Sequence, residues 1–321
     1  NHMFDINEII KLPKIIHAYE QPISNFPALF TDNFMQSISK ELKVVLSGIG
    51  ADEVFLGYNG YQRSLLKSNI LNKVSKNKIT NLTAKLFLKN NKIISKLIDK
   101  PFQEWRSILF KNNVMNIATK LLDKDYLSKF EEYIPFEMYA ETEKECNPRD
   151  YLDVLSYTDL MITHQHGTNL IPDISGMSYG VEIRSPFLNH KLIEFAASLP
   201  RNLLIPSQLR AKTNKFLLKK YLEPHLPKEI IYAQKVGFGF DINYHQLIKG
   251  PWNKIISKYV IHGNYLKSIP INKNYLRSDK FVSAEILWKL LSFSLWHDIF
   301  LLKKNYNDIG EDFKILINAA K

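Results

Sequence analysis

The stretch VVLSGIGADEVFLGY, residues 44–58, decides the fold. Together with Lys43, its first residues form a short, apolar, β-branched run over 43–48 that alternates poorly. Such a run predicts a strand buried on both faces of a parallel sheet. Helices are predicted on either side, over 28–40 and from about Asp52 onward, and helix, strand, helix is the α/β pattern. No other stretch reads convincingly as a parallel strand. The expected fold class is α/β, mostly helical in this portion, with a parallel-sheet fragment near the N-terminus.

The same stretch carries chemistry. Ligands of open α/β sheets bind outside the carboxyl ends of the strands, and Ser47, Gly48 and Gly50 stand at that place. Two glycines let a backbone approach a ligand closely and turn N–H groups toward an anion. The start of the following helix favours an anion too. An acid resists a phosphate unless a divalent metal joins them, so Asp52 reads as a holder of Mg²⁺, which in turn holds phosphate oxygens. The plainer alternative is that Asp52 and Glu53 cap a helix and offset its dipole.

Outward from this stretch the chain reads as helices. Residues 5–20 form an amphipathic pattern that Asp5 or Asn7 could cap and Pro13 could split. Residues 60–145 read as several helices punctuated by Pro101 and Pro135, and 150–171 as helix again. Residues 188–199 and 210–223 are helical patterns stopped by Pro200 and Pro224. Residues 281–304 are apolar enough to be a buried closing helix.

Bulk properties bound the function. The chain has 321 residues, 45% apolar, which is ample for a core. Its apolar runs are too short to span a bilayer, and no charged-then-apolar leader opens it. A single cysteine, Cys146, excludes an internal disulfide and suits a reducing, cytoplasmic setting. The net charge of +11 could attract nucleic acid, but no recognition motif accompanies it, so nucleic-acid binding is not expected. His164 and His166, two residues apart, do not share a helix face, and they and His190 are expected to be ordinary polar packing rather than metal ligands. A hydrolase triad is not expected.

Three further stretches extend the reading: LPKIIHAYEQPIS (12–24), DISGMSYGVEIRSPFLNHKLIEFAASLP (173–200) and KFLLKKYLEPHLPKEIIYAQKVGFGF (215–240). With residues 44–58 they resemble, in order, the synthetase domain of glutamine-dependent asparagine synthetases and their amide-forming relatives. The resemblance implies an ATP-pyrophosphatase fold. It implies that ATP and Mg²⁺ activate a small-molecule carboxylate, usually aspartate, as an acyl-adenylate, which ammonia then attacks. In that family an N-terminal glutaminase domain supplies the ammonia, and a homodimer is possible. Residue by residue, Asp52 matches the position associated with Mg²⁺ and pyrophosphate, and Ser47 and Gly48 match the turn beside the nucleotide. Lys235 matches a lysine associated with the departing pyrophosphate. Glu182 and Arg184 match a signature that walls the substrate side, with a buried structural Glu–Arg pair as the alternative. Glu53 and Tyr58 match supporting positions.

The sequence also departs from that family. Ile49 stands where asparagine synthetases often carry an acid, Ile174-Ser175-Gly176 interrupts a common Asp-Arg-x-Ser-Met pattern, and Asn189 replaces a usual aspartate. These changes put free aspartate in doubt as the substrate and leave open a tailoring ligase for a sugar, peptide or antibiotic precursor. The family's Ser-Gly-Gly-x-Asp-Ser loop does not occur in the 321 residues, nor does a glutaminase domain. The expectation is a C-terminal fragment of a longer enzyme or one half of a split one, inactive alone, with an exposed apolar sheet edge. A non-catalytic binding remnant is the further alternative. Residues 1–240 are assigned to the synthetase domain and 241–321 to its helical extension.

Overall fold

Pro13 divides the first predicted helix. A 3₁₀ segment, Ile6–Lys11, is capped by the Asp5 side chain, and α1, Leu12–Tyr19, starts with Pro13 in its first turn, where a missing N–H costs nothing. The computed structural model describes residues 5–61, 64, 68–69, 92–132, 136–206, 214–233, 248–276 and 283–319. Over these the protein is mostly helical, with a two-stranded parallel sheet.

Two apolar cores organise the helices. The first unites α1 and α2 (Ala28–Ile38) with residues from 248 to 317. It includes the predicted closing helix, observed as Ala284–Trp296 and continued by a π-helical turn, His297–Leu301. Leu12, Ile16, Leu29, Trp252, Leu291 and Phe313 are all fully buried there. Each such aliphatic side chain contributes about 1.5–3 kcal/mol by leaving water. The second core gathers Val54, Phe55, Leu56 and Trp105 with Leu152, Leu155, Ala196 and Leu204. Residues 44–58 therefore end inside the second core, while α2 just before them belongs to the first.

The strand predicted over 43–48 is present as β1, Val44–Leu46. It pairs in parallel with β2, Glu182–Arg184, with Val45 opposite Ile183. The expectation of burial on both faces is corrected: Val44 is 42% and Leu46 76% exposed. The helix Leu170–Met177 packs on β2 and on α2, and Gly176 allows that approach, since a Cβ there would meet Val181 O at 2.6 Å. The outward residues of the sheet have no such cover among the described residues. The strand β2 was missed because three residues with charge at both ends carry no strand signal; pairing to β1 alone makes them a strand. Residues 234–247, which include Lys235, lie outside the described residues.

Candidate active site

The turn after β1 is held by backbone hydrogen bonds. Ser47 N–H donates to Arg184 O at 2.8 Å, extending the strand pairing by one residue. Ile49 N–H then donates to Ser47 Oγ at 3.2 Å. Gly50 has φ 89, a left-handed conformation that glycine adopts without strain, and a Cβ there would run into Leu188. The helix expected from Asp52 is one turn, α3, Ala51–Val54. It ends because Leu56 takes a left-handed conformation, φ 53, and Gly57 N–H donates to Asp52 O at 2.7 Å. So short a helix has little macrodipole, and any pull on an anion falls to nearby N–H groups and side chains. A non-glycine residue in the left-handed region costs roughly 1–2 kcal/mol, and such strain concentrates at functional sites.

Asp52 faces a cation that the sequence reading did not single out. Lys215 Nζ lies 3.3 Å from Asp52 Oδ2, and both side chains are partly buried. Lys215 is itself left-handed, φ 53, at the start of the helix Phe216–Leu222. Gly57 makes the approach possible: a Cβ on it would strike the Asp52 carboxylate and lie 2.7 Å from Lys215 Cε. Nothing in the run Asn214-Lys215-Phe216 separates this lysine from its neighbours. The one sequence signal was Gly57, which the chain needs for close approach.

Glu53, next to Asp52, is buried in a polar cluster. Tyr58 donates its hydroxyl to Glu53 Oε1 at 2.5 Å, and Ser156 Oγ–H donates to the Glu53 carbonyl at 3.1 Å. His164 Nδ1 stands 3.4 Å from the same carboxylate oxygen, at ion-pair distance but without hydrogen-bond alignment. Burial pushes the Glu53 carboxyl up, but the His164 ring and the Tyr58 hydroxyl together outweigh it and hold it below its ordinary range. Burial, and then the Glu53 carboxylate, raise the Tyr58 phenol. Beyond them Tyr61 and Arg106 both donate to Asp159, at 2.7 and 2.6 Å.

The turn opens on a cavity of about 850 Å³, lined by Ser47, Gly48, Gly50, Asp52, Glu53 and Tyr58 on one side. Phe34, Met35 and Ile38 of α2 form part of an apolar wall. The volume lies in the range of small-molecule sites, about 300–1,000 Å³. Of the sequence-predicted residues, Ser47, Gly48, Gly50 and Asp52 thus share one wall. Glu182 does not line the cavity; only Ile183 between it and Arg184 does. Glu182 and Arg184 pair with each other at 2.8 Å on the exposed side of β2, so the buried pair weighed as an alternative is corrected as well. Strand alternation explains this, since Glu182 and Arg184 must point away from the face that Ile183 takes. Asn189 caps the helix His190–Ser198 by accepting from Lys191 N–H at 3.0 Å, a task that asparagine and aspartate perform equally well.

No group of three or more His, Cys, Asp or Glu suited to a metal occurs among the described residues. One carboxylate at the rim of a cavity suits Mg²⁺, which binds through one or two carboxylates plus substrate phosphates. No described helix is long and apolar enough to cross a membrane.

Over 92% of its length the chain is 24% identical to asparagine synthetase [glutamine-hydrolyzing] 1 of Bacillus subtilis, covering 46% of that protein. It is 25% identical, over 91% of its length, to a putative asparagine synthetase [glutamine-hydrolyzing] of Mycobacterium tuberculosis, covering 45% of it. A shorter match, 34% identical over 92 residues, is to the human asparagine synthetase [glutamine-hydrolyzing]; it spans 28% of this chain and 15% of the human protein. The chain thus spans about half the length of the curated relatives that it matches end to end. No solved structure matches it significantly. The family model described as asparagine synthase matches residues 2–298, a span that holds the β1 turn, Asp52 and Lys215, and the chain belongs to the asparagine synthase family.

Proposed function

We propose that this chain forms the carboxyl-terminal part of an ATP- and Mg²⁺-dependent synthetase domain, which activates a carboxylate as an acyl-adenylate for attack by ammonia. One observation carries the reading: a glycine-bracketed strand-end turn and an acid share one cavity wall, and a lysine pairs with that acid. In this reading the Ser47–Gly50 turn lies along the nucleotide, with its backbone free to approach the phosphates. Asp52 would hold Mg²⁺, which supplies positive charge to the phosphate oxygens. Lys215, beside Asp52, presents a fixed cation toward the charge that builds on departing pyrophosphate. Lys235 is proposed as a second such cation, on the resemblance alone. Glu182 receives no reacting role, because its carboxylate pairs with Arg184 outside the cavity. Ammonia would come from a glutaminase domain, as the names of the relatives suggest.

A second reading concerns the substrate. Ile49 and the apolar wall of Phe34, Met35 and Ile38 favour a carboxylate with an apolar body over free aspartate. A tailoring ligase fits that preference.

The test is pyrophosphate release by the polypeptide as the source cell makes it, across a panel of carboxylates. Asp52→Asn is expected to lower the rate by about a hundredfold or more, and Lys215→Ala by about tenfold to a hundredfold. Unchanged release by Asp52→Asn would remove the proposal. Equal turnover of aspartate and apolar acids would remove the second reading only.

A further inference from the structure

His164 is the least explained buried residue beside the site. Its side chain is 3% exposed, and neither ring nitrogen makes a hydrogen bond. A leucine would fill such a place without leaving buried polar atoms unsatisfied, which is costly. The polar group that the ring approaches is the Glu53 carboxylate, itself 4% exposed, at 3.4 Å from Nδ1. The sequence reading took this histidine for ordinary polar packing.

The backbone that carries His164 is unusual as well. It lies in a π-helical segment, Asp159–Thr168, between the helices Tyr151–Thr158 and Leu170–Met177. Such segments re-aim side chains and recur at functional sites. This one is anchored at its first turn, where Asp159 accepts from Tyr61 and from Arg106. The anchored segment presses His164 onto Glu53. Glu53 sits in α3, a single turn too short to hold its own orientation, and the adjacent residue is Asp52.

We infer that His164 is a positioning residue: by holding the Glu53 carboxylate, together with Tyr58, it fixes the turn that aims Asp52 into the cavity. The inference rests on the proposed role of Asp52. Loss of the contact frees the Glu53 end of α3, and Asp52 shifts with it. Displacement of a catalytic group by about 1 Å is enough to cost a hundredfold in rate.

Two measurements on the polypeptide as the cell makes it test the inference. The first reads the contact without turnover, as the ring-nitrogen NMR shifts of His164 in the wild type and in Glu53→Gln. A clear shift is expected, and identical shifts overturn the inference whether or not the protein is a synthetase. The second compares His164→Leu with His164→Asn, which keeps a donor near the Nδ1 position. His164→Leu should lower kcat for pyrophosphate release about tenfold with little change in the carboxylate KM, and His164→Asn should recover most of the loss. Equal losses in both variants, in step with a lowered melting temperature, would mean that the residue only packs. If no carboxylate supports pyrophosphate release, the synthetase reading falls, and the ring shifts still decide the contact.

Discussion

Two apolar stretches of this chain meet opposite fates. The helix Ala284–Trp296 buries Trp288, Leu290, Leu291 and Leu295 in the first core, packed against α1. The strand β1 is as apolar in sequence, yet Leu46 is 76% exposed and Val44 42%. Both look buried by local pattern, although the missing sheet strands also predict an exposed apolar edge. The difference teaches that an apolar run states a need for a partner and does not say where the partner is. The closing helix finds it within the described residues, whereas the outward face of β1 does not.

The comparison can be broken most directly at the closing helix. Leu291 is fully buried, and Leu291→Ala should destabilise the protein by about 2–5 kcal/mol, read as a lowered thermal or denaturant midpoint. A loss below about 1 kcal/mol would mean that the first core repacks and that burial there does not measure stability. A second test lies between the extremes, in a half-buried ion cluster. Burial alone would raise the Asp153 carboxyl, but hydrogen bonds from Arg149 and Arg201 outweigh it and bring it to about 2. A depressed folded-state value stabilises the fold above the ordinary carboxylate range. The contribution should be present above pH 3.8 and be lost as the pH falls toward about 2. Asp153→Asn should flatten that part of the profile of melting temperature against pH, and an unchanged profile would refute the assignment. The smallest effect belongs to the strand. Leu46→Ala should cost less than about 0.5 kcal/mol in this chain alone. The same substitution in the polypeptide as the cell makes it sharpens the contrast. A cost of about 2 kcal/mol or more there would show that a partner covers β1 in the native protein.

Much of the candidate site was legible because a strand-end turn has strict local requirements. Gly50 sits at φ 89, and the run Ser47–Gly50 follows an apolar strand, so position and conformation could be read together. Asp52 could be read for the same reason. Lys215 could not, because its place beside Asp52 comes from a contact between residues more than a hundred apart in sequence. His164 reads in sequence as ordinary polar packing, and its approach to Glu53 depends on a π-helical segment that helical spacing does not foresee. The motif does not say which way Glu182 faces; strand alternation turns it away from the cavity.

The sequence by itself determined the helical content, the first strand, the cap at Asp5, and the family, because each follows from local pattern or from motifs in order. Only the tertiary structure decided which cation meets Asp52, what surrounds Glu53, and that Glu182 and Arg184 pair outside the cavity. The physical reason is range. Dihedral preference and periodicity act over a few residues, whereas ion pairs and burial depend on which distant segments the packing brings together.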